Sequence, residues 1–234
     1  MTAIVNLMSD SGHRTTLYRI PGATYGGYLS SYDTLLLSSE GKETDVGIFR
    51  EGVAEELGFA PETVTDWANR LHYEFETVSL ACLKTKRPES HLKGIILVPG
   101  EQSVAFRRLV LPDPRQPYRD YYYNLAYESI HFASHEWRAR NIALTHWSSN
   151  IDMHSNIVAC IAEALGHCVD SIPRQGQGIS KFAFVGPRIL GNIFYEIDQL
   201  PGSANEGHNP IQLQVKQEED IAIIELQCFK YRAN

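Results

Sequence analysis

Residues 144–154, LTHWSSNIDMH, bring several groups capable of chemistry together in one short stretch. An apolar β-type run over 141–145 stops at His146, and a helical pattern begins at about His154. Hydroxyl, amide and carboxylate groups lie between them, at Ser148, Ser149, Asn150 and Asp152. In a ligand loop, the serines would donate hydrogen bonds to an anion and the following helix would add its dipole. In a helix cap, Asp152 or Ser155 would accept the first free N–H groups, and both interpretations stay open.

A second group of carboxylates, Glu40, Glu43 and Asp45, follows another strand-like run at 34–38. If the two loops border one cleft, Glu40 and Asp152 form a carboxylate pair with His146 nearby. These three are the candidate catalytic residues, because such a set suits general acid–base chemistry or a divalent metal. The alternative is a charged rim facing solvent.

Two other motifs predict no site. His131 and His135 are four residues apart, but Glu136 lies outside the pair, so they do not form the H-E-x-x-H metal motif and we expect an exposed helix surface. The stretch RQGQGISK at 174–181 lacks the P-loop spacing and precedes a strand, which predicts a turn. These two motifs therefore predict neither a bound metal nor a cofactor.

The composition limits the class of protein. The 234 residues are 43% apolar and 21% charged, with a net charge of -7, which suits one domain over 1–234. An acidic surface repels phosphate backbones, and the short basic runs 84–87 and 107–108 are assigned to strand ends, so no nucleic-acid partner is expected. No apolar run approaches the roughly 20 residues of a membrane helix. The start lacks a signal leader and the cysteines are widely spaced, which together predict a cytoplasmic protein without a membrane partner.

The order of hydrophobic patterns predicts the fold class. Several strand-like runs are continuous and apolar, as in strands buried on both faces, and the order from 77 to 200 is mainly strand–helix. We therefore predict an α/β fold, a three-layer α/β/α sandwich with a mixed, mostly parallel central sheet. The predicted strands are 3–7, 15–20, 34–38, 77–83, 94–99, 141–145, 181–185 and 221–229, with a C-terminal hairpin over 212–231. The predicted helices are 46–57, 61–76, 118–138, 155–167 and 192–200.

Four segments in order resemble the macro domain, the ADP-ribose-binding fold. YDTLLLSSEGKETDVGIFREGVAEELG (32–58) is similar to its opening strand, glycine-rich loop and first helix, and HLKGIILVPG (91–100) to its next core strand. YRDYYYNLAYESIHFASHEWRARNIALTHWSSNID (118–152) is similar to its long helix, next strand and second binding loop. KFAFVGPRILGNIFYEIDQL (181–200) resembles its last core strand and terminal helix. The macro-like core would span 32–200, with N-terminal strands at 1–31 and a C-terminal strand extension at 201–234.

The resemblance implies a pocket for ADP-ribose or a related nucleotide between the loops 38–48, 147–153 and 185–191, with weak hydrolase activity as a further expectation. The ligand-binding positions it implies are Ser38, Ser39, Asp45, Gly47, Ile48, Trp147, Ser148, Ser149, Asn150, Ile151 and Gly186. The chain departs from the family pattern at the binding loops. Glu40 replaces an asparagine that faces the distal ribose, the glycine run is reduced to Gly41 and Gly47, and Asp152 would repel a phosphate. The family's adenine-binding aspartate has two candidate counterparts, Asp10 and Asp33.

Two other functions remain open at this point. One is a non-catalytic interaction or assembly module on a macro-like fold whose nucleotide site is degraded. The other is a metal-assisted hydrolase that uses Glu40, His146, Asp152 or His154. The sequence does not decide whether the protein is an enzyme or which oligomer it forms.

Overall fold

A computed structural model describes residues 2–8, 14–20, 28–39, 44–110, 117–145, 154–171, 178–185, 213–218 and 221–226. The described strands are β1 (Thr2–Met8), β2 (Arg14–Ile20), β3 (Thr34–Ser38), β4 (Ser79–Lys84), β5 (Gly94–Val98), β6 (Asn141–Thr145), β7 (Lys181–Val185), β8 (Leu213–Glu218) and β9 (Ile221–Leu226). The described helices are α1 (Thr44–Leu57), α2 (Pro61–Tyr73), α3 (Val104–Val110), α4 (Pro117–Glu136) and α5 (His154–Ser171), with a short 3-10 turn at Tyr28–Ser31.

The described strands form one mixed sheet in the order β1-β2-β7-β6-β3-β5-β4-β9-β8. The five strands from β2 to β5 in this order are parallel to one another. The remaining four pair antiparallel, β1 at one end and β4, β9 and β8 at the other. The prediction of an α/β fold with a mixed sheet is therefore confirmed.

The central strands are apolar throughout because both of their faces are covered. Successive strand residues point to opposite faces, and Leu35 and Leu37 belong to a different apolar cluster from Leu36. The Leu35 cluster includes buried side chains of α1 and α2, among them Val53 and Trp67. The Leu36 cluster includes buried side chains of α3, α4 and α5. Alternate residues of a central strand thus belong to two different apolar clusters, which explains the continuous apolar runs in the sequence.

Glycine and proline residues set the end of α1 and the start of α2, the two helices in the Leu35 cluster. Gly58 ends α1 in the left-handed region at φ 80, where a glycine has no steric penalty, and its N–H donates to the Glu55 carbonyl at 3.0 Å. Pro61 then begins α2, whose buried face is Val64, Trp67, Ala68 and Leu71. These four residues recur at helical spacing, as the sequence predicts.

The terminal segments both extend the sheet. β1 and β2 continue it beyond β7, and β8 and β9 form the predicted antiparallel hairpin beside β4. One assignment was wrong. Arg107 and Arg108 lie in α3, not at a strand end, because Ser103 caps a seven-residue helix there. The predicted helix 192–200 lies outside the described residues. Within the part of the chain that the structure describes, no helix is long and apolar enough to cross a membrane.

Candidate functional site at the carboxyl ends of the central strands

Three central strands end at the same level at one edge of the sheet. Leu37 of β3 is in register with Thr145 of β6, and Thr145 is in register with Val185 of β7. On the other side of β3, Ser38 is in register with Val98 of β5. Neighbouring strands are about 4.8 Å apart. The carboxyl ends of β3, β6 and β7 therefore lie side by side, at the edge where parallel α/β sheets bind ligands.

Two of the four serines predicted to bind ligand, Ser38 and Ser39, are buried at the end of β3. Ser38 is 1% exposed and Ser39 is 5% exposed. The N–H of Ser39 donates to the Val98 carbonyl at 2.7 Å, and its hydroxyl oxygen accepts the N–H of Gly100 at 3.0 Å. Ser39 thus ties the ends of β3 and β5 together, while its hydroxyl hydrogen can still be donated to another group.

The turn after β5, residues 99–103, is fixed by side chains from α4. The Tyr121 hydroxyl donates to the Pro99 carbonyl at 3.0 Å, and the Tyr122 hydroxyl donates to Glu101 Oε1 at 2.5 Å. A carboxylate is therefore held in place next to the end of β3. Glu101 is not among the site residues predicted from the sequence, although a carboxylate in the turn after a buried strand is a recognisable signal.

Most of the predicted site residues lie outside the described part of the chain. These are Glu40, His146, Trp147, Ser148, Ser149, Asn150, Ile151, Asp152 and Gly186. Asp45 and Gly47 are in the first turn of α1, Ile48 follows directly in the same helix, and His154 is the first residue of α5. Among the predicted ligand-binding residues, the structure thus places Ser38 and Ser39 at this edge.

Asp33, one candidate counterpart of the adenine-binding aspartate, lies at the opposite edge of the sheet. Its carboxylate accepts the N–H of Arg140 at 2.9 Å and the N–H of Asn141 at 3.2 Å. The Lys93 ammonium lies 3.4 Å from the same carboxylate. Asp33 directly precedes β3, so its carboxylate joins the beginnings of three strands and is remote from the carboxyl-end site.

A second group of titratable side chains lies along α4 and α5. The Tyr123 hydroxyl is 2.6 Å from His167 Nδ1, and burial raises the pKa of this tyrosine. His131 is partly buried, and desolvation, followed by the neighbouring His135, lowers its pKa. Its ring stacks on His135 with the centroids 4.2 Å apart, so the predicted exposed surface describes His135 better than His131. Among the described residues no three His, Cys, Asp or Glu side chains form a possible metal site.

Comparisons with known proteins do not place the chain in a family. A scan against protein-family models and a search of curated proteins both find no match.

Proposed function

We propose that the protein is a three-layer α/β/α sandwich of the macro-domain type. The four segments that carry the resemblance contribute β3, β5, β6 and β7, which are consecutive parallel strands in the middle of the sheet. Of the helices that the resemblance implies, α1 follows β3 and α4 precedes β6 in the chain, and the terminal helix at 192–200 lies outside the described residues. This arrangement supports the proposal, because the order of segments in a sequence does not by itself determine which strands pair.

The proposed function is binding of ADP-ribose or a related nucleotide at the carboxyl ends of these strands. The observation that carries it is the common level at which β3, β6 and β7 end, with Leu37, Thr145 and Val185 in one line of register. In the sequence, loops 38–48, 147–153 and 185–191 come after these strand ends. The first turn of a helix has N–H groups without an intrahelical partner, which favours anions, and α1 begins six residues after the last residue of β3.

Asp152 offers a specific test, because a carboxylate in the second binding loop would repel a diphosphate. We expect Asp152→Asn to tighten ADP-ribose binding by about threefold to tenfold at low salt. Glu89→Gln is the matched control, since it removes the same charge from an exposed turn at the opposite edge of the sheet. Isothermal titration calorimetry with ADP-ribose, AMP and ADP measures both. No binding of any of the three at millimolar ligand by the folded wild-type protein would overturn the proposed function.

The burial of Ser38 and Ser39 favours a second candidate, a non-catalytic interaction or assembly module. Both side chains are almost fully covered, and the Ser39 oxygen is already used by the Gly100 N–H. A site that has lost its ligand would close in this way. If the calorimetry shows no nucleotide binding while circular dichroism shows a folded protein, this second function replaces the first.

A further inference from the structure

Basic residues line the edge of the sheet opposite the proposed nucleotide site. Arg14 and Lys181 begin β2 and β7, and Arg140 and Lys93 directly precede β6 and β5. The antiparallel strand β4 ends at this edge with Lys84, which is in register with Gly94. Three more cations lie in the adjoining turns. We call this set the cationic row: Arg14, Lys84, Lys86, Arg87, Lys93, Arg138, Arg140 and Lys181.

The cationic row faces solvent. Lys93 and Lys181 are half-buried, and the six other side chains are exposed. The row holds 8 of the 21 basic residues of a chain whose net charge is -7. No single stretch of sequence shows this concentration, because the members are spread from residue 14 to residue 181 and only the strand register brings them together.

One buried carboxylate organises the middle of the row. Asp33 accepts the N–H groups of Arg140 and Asn141 and contacts the Lys93 ammonium. Lys93 Nζ also donates to the carbonyl of Arg138 at 2.6 Å, and Arg138 has a left-handed backbone at φ 52. The turn before β6 is thereby fixed with its two arginine side chains outward. Asp33 therefore fixes the positions of Arg140 and Lys93 in the cationic row. The same donors compensate the negative charge of its buried carboxylate.

Carboxylates border the row on both sides. The C-terminal turn of α1 carries Glu55 and Glu56, and the latter accepts a hydrogen bond from Ser90 at 2.8 Å. Glu89 is exposed in the turn before β5, and Glu136 is exposed at the end of α4. The row crosses five strand intervals, which is about 24 Å at the usual strand spacing. It is therefore a long cationic strip with acidic sides.

We propose that the cationic row binds an extended acidic segment of a partner protein, rich in Asp and Glu. About seven extended residues span 24 Å at roughly 3.4 Å each, and such a chain is narrow enough to lie between the acidic borders. A nucleic-acid duplex would place phosphates over those borders. A single strand would need aromatic rings for its bases, whereas Tyr73, the exposed large hydrophobic residue among those described, lies at the end of α2 near the other edge.

Fluorescence anisotropy with a labelled ten-residue polyglutamate peptide tests the proposal on the whole chain at 20 mM and 150 mM salt. Lys84→Glu and Arg138→Glu are the test variants, because both residues are exposed at this edge. Arg107→Glu is the matched control, with the same change of charge on an exposed residue of α3 at the opposite edge. We expect each test variant to weaken peptide binding about threefold to tenfold at 20 mM salt, and the control less than twofold.

Three results would overturn the proposal. The first is no peptide binding by the wild-type protein at 20 mM salt. The second is an equal loss with Arg107→Glu, which would show an effect of net charge and not of the row. The third is tighter binding of a ten-nucleotide DNA strand or duplex that is sensitive to Lys84→Glu, which would assign the row to nucleic acid. Thermal melting checks that each of the two test variants is folded. Because there are two variants, a folding defect in one does not decide the outcome.

Discussion

Gly94, the first residue of β5, occupies a position that has no room for a side chain. A Cβ there would lie 2.6 Å from the Leu83 carbonyl oxygen and 2.8 Å from the ring of Trp137. The carbonyl belongs to the neighbouring strand β4 and cannot move without breaking the sheet pairing. The glycine therefore permits the close approach of Trp137, the residue that follows α4, to the sheet.

We expect Gly94→Ala to lower the free energy of unfolding by about 2–4 kcal/mol, because overpacking displaces backbone as well as the ring. Gly52→Ala in α1 is the control, since its Cβ would meet nothing within 4 Å. Alanine has the better helix propensity, so the control should be neutral or more stable by up to about 1 kcal/mol. Urea denaturation of both variants measures the difference, and equal stabilities would contradict the steric argument.

Helix α4 carries a carboxyl group whose pKa is raised by burial. Glu128 is 4% exposed, and desolvation raises its pKa from 4.5 to about 7. A carboxyl whose pKa is higher in the folded state binds its proton more tightly there. Its contribution to stability is therefore complete below about pH 4.5 and is lost as the pH rises to about 7.

We expect the wild-type protein to lose stability between pH 4.5 and pH 7 through Glu128, by about 3 kcal/mol at most. Glu128→Gln removes this term, so the variant should gain on the wild type as pH rises and be more stable at pH 8. Urea denaturation at several pH values measures the two profiles. Parallel profiles would mean that Glu128 does not titrate differently in the folded state.

Most of the strands and helices were predictable from the sequence, and the one that was missed has a physical explanation. Continuous apolar runs identified the buried strands, because both faces of the sheet are covered. The helix α3 was missed because seven residues with two adjacent arginines give no clear helical period. For the candidate site, the sequence indicated the carboxyl-end edge of the sheet. It did not indicate that the Ser39 hydroxyl accepts a hydrogen bond from the Gly100 N–H. That contact joins residues 61 positions apart, and only the folded chain specifies it.

At the scale of the whole molecule, the C-terminal hairpin belongs to the main core. Ile221 and Ile223 of β9 lie in the cluster with α1 and α2, whereas Ile224 and Leu226 lie in the cluster with α4 and α5. A strand that contributes to both faces is part of the central sheet and not an appendage.

We expect Ile224→Ala to cost about 2–5 kcal/mol of unfolding free energy, because the side chain is fully buried. Glu225→Ala in the same strand, with its partly exposed side chain, should cost about 1 kcal/mol or less. Thermal and urea unfolding provide the comparison. If Ile224→Ala is as stable as the wild-type protein, the hairpin folds separately from the core.

The central position of β3 also has a consequence for how the chain is made. Its partners in β5 and β6 lie 60 and 108 residues later in the sequence, as the pairs Thr34–Gly94 and Thr34–Ile142 show. During synthesis the apolar strand Thr34–Ser38 thus emerges long before either partner. Distant pairings of this kind are slow to form and leave hydrophobic surface exposed in the meantime. The nascent chain must keep this strand from aggregating until β6 has left the ribosome.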